Sequence, residues 1–209
     1  MKVWNWIVVG LVGVGIGWAN GDIIWQEDFS DLSDWFIVSN PGGDGSMNSD
    51  GSYGTFSEPS SGISGLTFAP TTRAAFDPTQ KETYSMEISI VSLTWSASHK
   101  WALDEFDSSG TYIGTVWNVY PTESAERSTL GFDPAGPVTT NISLGNLTFD
   151  SATAYIAPKF DIGTGDGGQS FVLDNLSITQ TIPEPATMNL IGLTLGSALL
   201  AARRRISRR

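Results

Sequence analysis

Tyr84-Ser85-Met86-Glu87-Ile88-Ser89-Ile90 puts Tyr, Met and two Ile at every second position, with Ser or Glu between them. A period of two is the repeat of a strand with one face in a core and the other in water. After Val91-Ser92 the apolar positions change parity to Leu93 and Trp95, which predicts a bulge or a bend between sheets. Trp101 and Leu103 open the next strand, Asp107-Ser108-Ser109-Gly110 makes a turn, and Tyr112 to Val119 returns as its hairpin partner. The three segments are expected to form an antiparallel meander.

Working outward, the same reading predicts strands at 23–29, 34–39, 52–56, 65–69, 128–132, 139–142, 152–161 and 169–179. From Asp22 to Thr181 the chain shows no long amphipathic helix. Many short strands separated by Gly, Ser, Asp and Pro clusters indicate an all-β fold, an antiparallel jelly-roll β-sandwich, with a barrel as the alternative. The Gly/Ser/Asp-rich stretch Asn40 to Gly54 reads as a long loop, either a floppy insertion or a binding loop.

The 209 residues fit one such domain plus processing segments. Without cysteine there is neither a disulfide framework nor a thiolate metal site. The formal charge is −11, and its distribution says more than its total. Arg203, Arg204, Arg205, Arg208 and Arg209 crowd the C-terminus and Lys2 sits at the start, so Arg73, Lys81, Lys100, Arg127 and Lys159 face nearly all of the acidic residues. A body so acidic is repelled by a phosphate backbone, which argues against nucleic acid as a partner. Solubility accounts for the acidity, and calcium binding or a place in a polyanionic matrix are the alternatives.

The two ends are built for processing. Lys2 and the apolar run Val3 to Trp18, followed by Ala19-Asn20-Gly21, have the layout of a signal peptide over residues 1–21, with cleavage after Ala19 or after Gly21. Glycines inside the run weaken the alternative of an uncleaved anchor helix. At the other end Ile182-Pro183-Glu184-Pro185 precedes the uncharged stretch Ala186 to Ala202 and the cluster Arg203-Arg204-Arg205. Seventeen helical residues reach about 26 Å, near the lower limit for a transmembrane helix. The positive-inside rule would hold both termini in the cytoplasm and the body outside, with Pro183 and Pro185 fixing an extended segment at the outer boundary.

Pro183-Glu184-Pro185-Ala186-Thr187, the span containing Leu190, Gly192, Leu193, Leu195, Gly196, Leu199 and Leu200, and the terminal arginines resemble the PEP-CTERM sorting signal, over residues 182–209 only. The resemblance implies a bacterial exosortase, a membrane transpeptidase-like enzyme, as partner beside signal peptidase. It also implies removal of the tail near the Pro-Glu-Pro at the inner membrane of a Gram-negative-type cell, and an association with exopolysaccharide or biofilm matrix. Asn189, Thr194 and Ser197 make the span less apolar than a permanent anchor would be; an ordinary tail anchor is the competing reading.

Trp25-Gln26-Glu27-Asp28-Phe29, Phe171 to Ile178 and the segment Lys100 to Gly114 resemble the margins and a hairpin of jelly rolls of the carbohydrate-binding-module type. In that superfamily a structural calcium ion is often held by oxygens of the first and last strands. Strict alternation would put Val172, Asp174, Leu176 and Ile178 on one face, and a carboxylate on an apolar face needs a partner. Calcium held by Glu27, Asp28 and Asp174 is one solution, and backbone hydrogen bonds at a local bulge are the other.

Catalytic constellations are scarce. His99 is the only histidine, so no multi-histidine zinc site can form, and its place near a strand start suggests a surface or capping residue. The acidic triplet spacing of laminarinase-like hydrolases is absent, and Asp104-Glu105-Phe106-Asp107 is the nearest carboxylate cluster. Asp44-Gly45, Asp50-Gly51 and Asp166-Gly167 lack calcium-loop spacing. Trp25, Trp35, Trp95, Trp101 and Trp117 would make either a sugar platform or core, with core expected for at least three. The expectation is a non-catalytic exported surface or matrix protein whose body binds carbohydrate. A glycan-active enzyme or a purely structural domain are the alternatives.

Overall fold

A computed structural model of the chain describes residues 21–39, 45–58, 66–93, 99–120, 137–162 and 169–182. The signal peptide up to Asn20, the Pro-Glu-Pro motif, the apolar span, the arginine cluster, Trp95 and the strand expected at 128–132 lie outside them, while Gly21, the last residue of the expected leader, opens the first strand.

The described chain is almost all strand: β1 (Gly21–Glu27), β2 (Trp35–Ser39), β3 (Ser46–Ser49), β4 (Gly54–Glu58), β5 (Leu66–Pro70), β6 (Ala74–Ala75), β7 (Tyr84–Leu93), β8 (His99–Phe106), β9 (Tyr112–Val119), β10 (Val138–Ser143), β11 (Tyr155–Ile162) and β12 (Gln169–Thr181). Short 3-10 helices occupy Pro78–Thr83 and Leu144–Asn146. The strands form two antiparallel sheets. Sheet A runs β10-β7-β12-β4-β3 with β1 also on β12, and sheet B runs β2-β5-β11-β8-β9 with β6 also on β11. This is the expected jelly-roll sandwich.

Its core is where the alternating patterns of the two sheets meet. Tyr84, Met86, Ile88 and Ile90 of β7 are buried while Ser85, Glu87 and Ser89 between them are only partly so. From sheet B, Trp101, Leu103, Phe160 and Ile162 face them, each at most 1% exposed. One part of the core is aromatic. Phe56 and Phe171 stack with centroids 4.9 Å apart, Trp35 and Phe160 stack at 5.6 Å, and Phe68 meets Phe56 edge-on at 5.1 Å. Burying a side chain of this kind stabilises the fold by roughly 1.5–3 kcal/mol, and favourable ring pairs add about 0.5–1.5 kcal/mol.

Three expectations need correction. First, β7 lies in sheet A and β8–β9 in sheet B, so only the β8–β9 hairpin forms and the three-strand meander does not. The parity change after Val91 is a bulge: Ser92 pairs with Val172 but Ile90 with Leu173, which skips one residue. Second, the stretch Asn40 to Gly54 contains β3, which pairs with β4 from Ser46↔Ser57 to Ser49↔Gly54. Its polar composition hid it because β3 is an edge strand and neither Asn48 nor Ser49 is buried. Third, the strand expected from Ala152 begins at Tyr155, because Asp150 first closes a turn by accepting from the Ala152 and Thr153 backbone amides.

The corner between β1 and β2 carries the one non-glycine residue with positive φ among those described, Phe29 (φ 56°). Such a backbone costs of order 1–3 kcal/mol and persists only when its surroundings hold it. Here they do. Glu27 accepts from the Phe29 amide through one carboxylate oxygen (2.9 Å) and from Trp35 Nε1 through the other (2.8 Å). The Phe29 ring fills the space above Gly54, where a Cβ would lie 2.9 Å from it.

Candidate functional site

The outer face of sheet B forms a trough, and the strand registers explain why. Cross-strand partners share a face, so Asp104↔Thr115, Ala157↔Asp104, Phe106↔Tyr112, Asp161↔Thr67 and Phe36↔Ala69 all point away from the core. Small side chains, Thr67, Ala69 and Ala157, occupy the middle strands. Larger ones stand at the borders: Phe36 and Val38 on β2, and Phe106 and Tyr112 at the β8–β9 end. A low floor between high rims leaves a groove of about 610 Å³, also lined by Pro70, Thr71, Arg73, Asp104, Pro158 and Lys159. That volume falls in the range of small-molecule sites, roughly 300–1,000 Å³. Phe36, Val38 and Tyr112 are also half of the six large apolar side chains that stand exposed among the described residues, so the concentration is local to the groove.

Its polar groups are held in place. Lys159 Nζ lies 3.0 Å from Asp104 Oδ2, the one ion pair among the described residues, and Thr115 donates its hydroxyl to the other Asp104 oxygen. Burial alone would push Lys159 down. The hydrogen bond and charge of Asp104, with Asp161 and Tyr112 adding, outweigh that, and the ammonium is held above the ordinary lysine value. Arg73 is stacked over the Phe106 ring at 3.8 Å and donates to the Gly110 carbonyl at 2.8 Å. Gly110 is required there: its φ is +83°, and a Cβ would come within 2.7 Å of the guanidinium. Asp107 ties down the same hairpin turn by accepting from the Ser109 hydroxyl and from the Thr111 and Ser109 amides, which lowers its pKa.

The residues singled out from sequence fall elsewhere. Trp25, Trp35 and Trp101 are buried, and Trp117, opposite Leu103, packs against the core. The rings of the groove, exposed Phe36 and Tyr112 with half-buried Phe106, belong to a different set. Asp104 and Glu105 are neighbours on one strand and so point to opposite faces. Glu105 turns inward, where it accepts from the Asp150 amide and the Thr153 hydroxyl. Asp104 is the single carboxylate among the described residues that line the groove. His99 is not a surface or capping residue: it shares the inward parity of Trp101 and Leu103, is fully buried and meets Phe171 edge-on at 5.7 Å.

The parity argument for Asp174 also fails. β12 changes neighbour at this point, pairing Leu173 with Gly54 of β4 and Leu176 with Glu27 of β1. The ladder to β7 jumps from Leu173 to Asn175. Alternation restarts across this bulge, so Leu173 and Leu176 are buried while Asp174 is exposed. Glu27 is engaged by Trp35 and Phe29, as described above, and Asp28 accepts from the amide and hydroxyl of Ser30, which lowers its pKa. An open cleft of about 390 Å³ between Gln26 and Asp34 carries Glu27, Asp28, Asp31 and Asp34. Among the described residues no three His, Cys, Asp or Glu side chains converge as a metal-holding group.

No protein-family model matches the chain, and no curated protein does. Solved structures are similar only distantly. The xylan-binding module CBM15 is 11% identical with a TM-score of 0.45, covering 77% of this chain and 97% of that one. A family 11 carbohydrate-binding module from Clostridium thermocellum is 14% identical at a TM-score of 0.45, covering 75% and 95%. A chain of the glycosylation-associated Gap123 complex of Streptococcus agalactiae is 11% identical at a TM-score of 0.43; 71% of this chain aligns to 24% of that one. None of these likenesses bears on what the groove holds.

Proposed function

We propose that this chain is an exported, non-catalytic protein of the cell surface or extracellular matrix, and that its sandwich binds a carbohydrate chain in the groove on sheet B. The observation that carries the reading is the pairing of exposed rings with ordered charged groups in one trough. A sugar ring has an apolar face of C–H groups and a rim of hydroxyls. Phe36 and Tyr112 offer plates for the first, and Asp104, Lys159 and Arg73, the last braced on Phe106, offer charge-assisted hydrogen bonds to the second. Hydrolysis of a glycosidic bond generally needs two carboxylates flanking that bond. Among the described residues the groove supplies one, already paired with Lys159, which supports binding over turnover.

The route to the surface rests on the two ends: a leader processed by signal peptidase, and a Pro183-Glu184-Pro185 tail handed to an exosortase at the inner membrane. Among the described residues no helix is long and apolar enough to cross a membrane, and the span 186–202 lies outside them.

The test is a glycan array, together with a pull-down on the producing cell's own exopolysaccharide. Retention that Tyr112→Ala or Phe106→Ala lowers tenfold or more is expected. Absence of binding to any glycan would leave a purely structural surface domain. For the tail, replacing Pro183, Glu184 and Pro185 together by Ala is expected to accumulate an unprocessed, membrane-fraction form; normal processing would overturn the sorting assignment.

A further inference from the structure

The charge of the groove opposes that of the protein around it. The chain as a whole carries −11, yet the charged residues among the described ones that line the groove are Arg73, Lys159 and Asp104, two cations against one anion. Lys159 and Asp104 neutralise each other at 3.0 Å. That leaves Arg73, which makes no ion pair among the described residues despite the acidity of the chain. Its single hydrogen bond goes from Nη1 to the Gly110 carbonyl, and its guanidinium is fixed face-on to Phe106. A solvated surface arginine is free to sample rotamers and to find a carboxylate. This one is braced by a ring and by a turn whose glycine leaves it room. A guanidinium has five N–H donors in a rigid fork that matches a carboxylate bidentately.

From this we infer that the groove selects an acidic carbohydrate, one whose sugars carry a carboxylate. Arg73, braced on Phe106, receives that carboxylate while the exposed Tyr112 ring, 6.0 Å from Phe106, packs the sugar body. The inference rests on the carbohydrate reading above and narrows it. The acidic body does not forbid such a ligand, because at physiological salt charges more than about 8 Å from the site are largely screened.

The experiment compares oligogalacturonate with its methyl ester, which has the same sugar backbone without the charge, and with a neutral glucan oligosaccharide of equal length. Binding to the full chain in detergent is followed by calorimetry. Expected is at least tenfold tighter binding of the acid than of its ester. Arg73→Gln should erase the difference by weakening the acid far more than the ester, and Arg73→Lys should restore only part of it. Equal affinity for acid and ester, or a preference that survives Arg73→Gln, would overturn the inference and leave carbohydrate binding standing. Binding of a sulfated chain but not of the carboxylated one would overturn the carboxylate assignment. Binding of none of these sugars or other glycans would overturn both readings.

Discussion

The two outward faces of this sandwich are made by the same rule and come out opposite in character. On sheet A the outward positions are Ser85, Glu87 and Ser89 of β7, Thr139, Asn141 and Ser143 of β10, and Asn175, Ser177 and Thr179 of β12. These are side chains of modest length on three of the six strands, and bonds tie this face together: Ser85 to Thr179 at 2.8 Å, Ser89 to Thr139 at 2.9 Å, and Gln26 to Asn175 at 3.2 Å. The result is a polar surface along these strands, with the exposed Ile23 of β1 beside it. On sheet B the outward positions are small in the middle and large at the borders, so the face is recessed and carries rings and cations. Alternation specifies only which residues face out. Their sizes across the strands decide whether the face is flat or hollow.

The largest effect that could break this contrast is at the ion pair. Asp104→Ala removes the partner of a half-buried ammonium and is expected to cost about 3 kcal/mol of stability, seen as a lower urea midpoint. An unchanged midpoint would mean that the pair is solvated and the groove floor is not ordered by it. Next come the rings. Phe36→Ala and Tyr112→Ala should weaken glycan binding about tenfold, a change of about 1.4 kcal/mol, with little change in Tm because both rings are exposed. Glu87→Gln and Asn141→Ala on the opposite face should leave binding unaltered. If binding follows the sheet A substitutions instead, the site lies on the wrong face here.

The pH response is smaller and has two signs. Asp28, Asp50, Asp77 and Asp107 are held below the usual carboxylate range, each chiefly by hydrogen bonds from residues two to four positions on. A depressed folded pKa contributes stability that is present above the unfolded value of about 3.9, and that contribution is lost as pH falls through the lower folded values. Lys159 is raised, so its contribution is complete below the unfolded value of about 10.4 and is lost as pH rises through the folded one. Tm should therefore fall at both extremes. Asp107→Asn should soften the acid limb and Lys159→Met the alkaline one.

The smallest expected effects come last. Ser85→Ala with Thr179→Ala should change stability by within about 0.5 kcal/mol. Millimolar calcium should leave Tm where a chelator leaves it, since Glu27 is engaged by Trp35 and Phe29 and Asp174 is exposed at a bulge. A calcium-dependent rise abolished by Asp174→Asn would place the ion on Glu27, Asp28 and Asp174 after all.

Much of the acidity has a local reading that was legible in principle. Asp28, Asp31, Asp50, Asp77, Asp107 and Asp150 each accept from the backbone amide two residues on, and in five of them that residue is Ser or Thr. The Asp-x-Ser/Thr spacing is the signal of a side chain that mimics a turn. Of the Asp-Gly pairs, Asp50-Gly51 occupies one such turn, with Gly51 at a φ of +88°. The groove residues had a weaker signal. Ala102, Asp104 and Phe106 stand out of phase with Trp101 and Leu103, which marks them as outward but says nothing of what lies beside them.

The sequence by itself determined the strand periodicity, that at least three of Trp25, Trp35, Trp95, Trp101 and Trp117 are core without saying which, and that a bulge or a bend follows Val91. All of these depend on interactions within a few residues, or on a repeat that a single strand displays. Tertiary structure alone decided that β7 and β8 part into different sheets, that His99 is buried and that Asp174 is turned outward at a change of partner. It alone set Phe36 across a floor of alanines from Tyr112, 76 positions later in the chain. A pattern read along one strand has no access to the register of its neighbours, and a groove is a property of several registers at once.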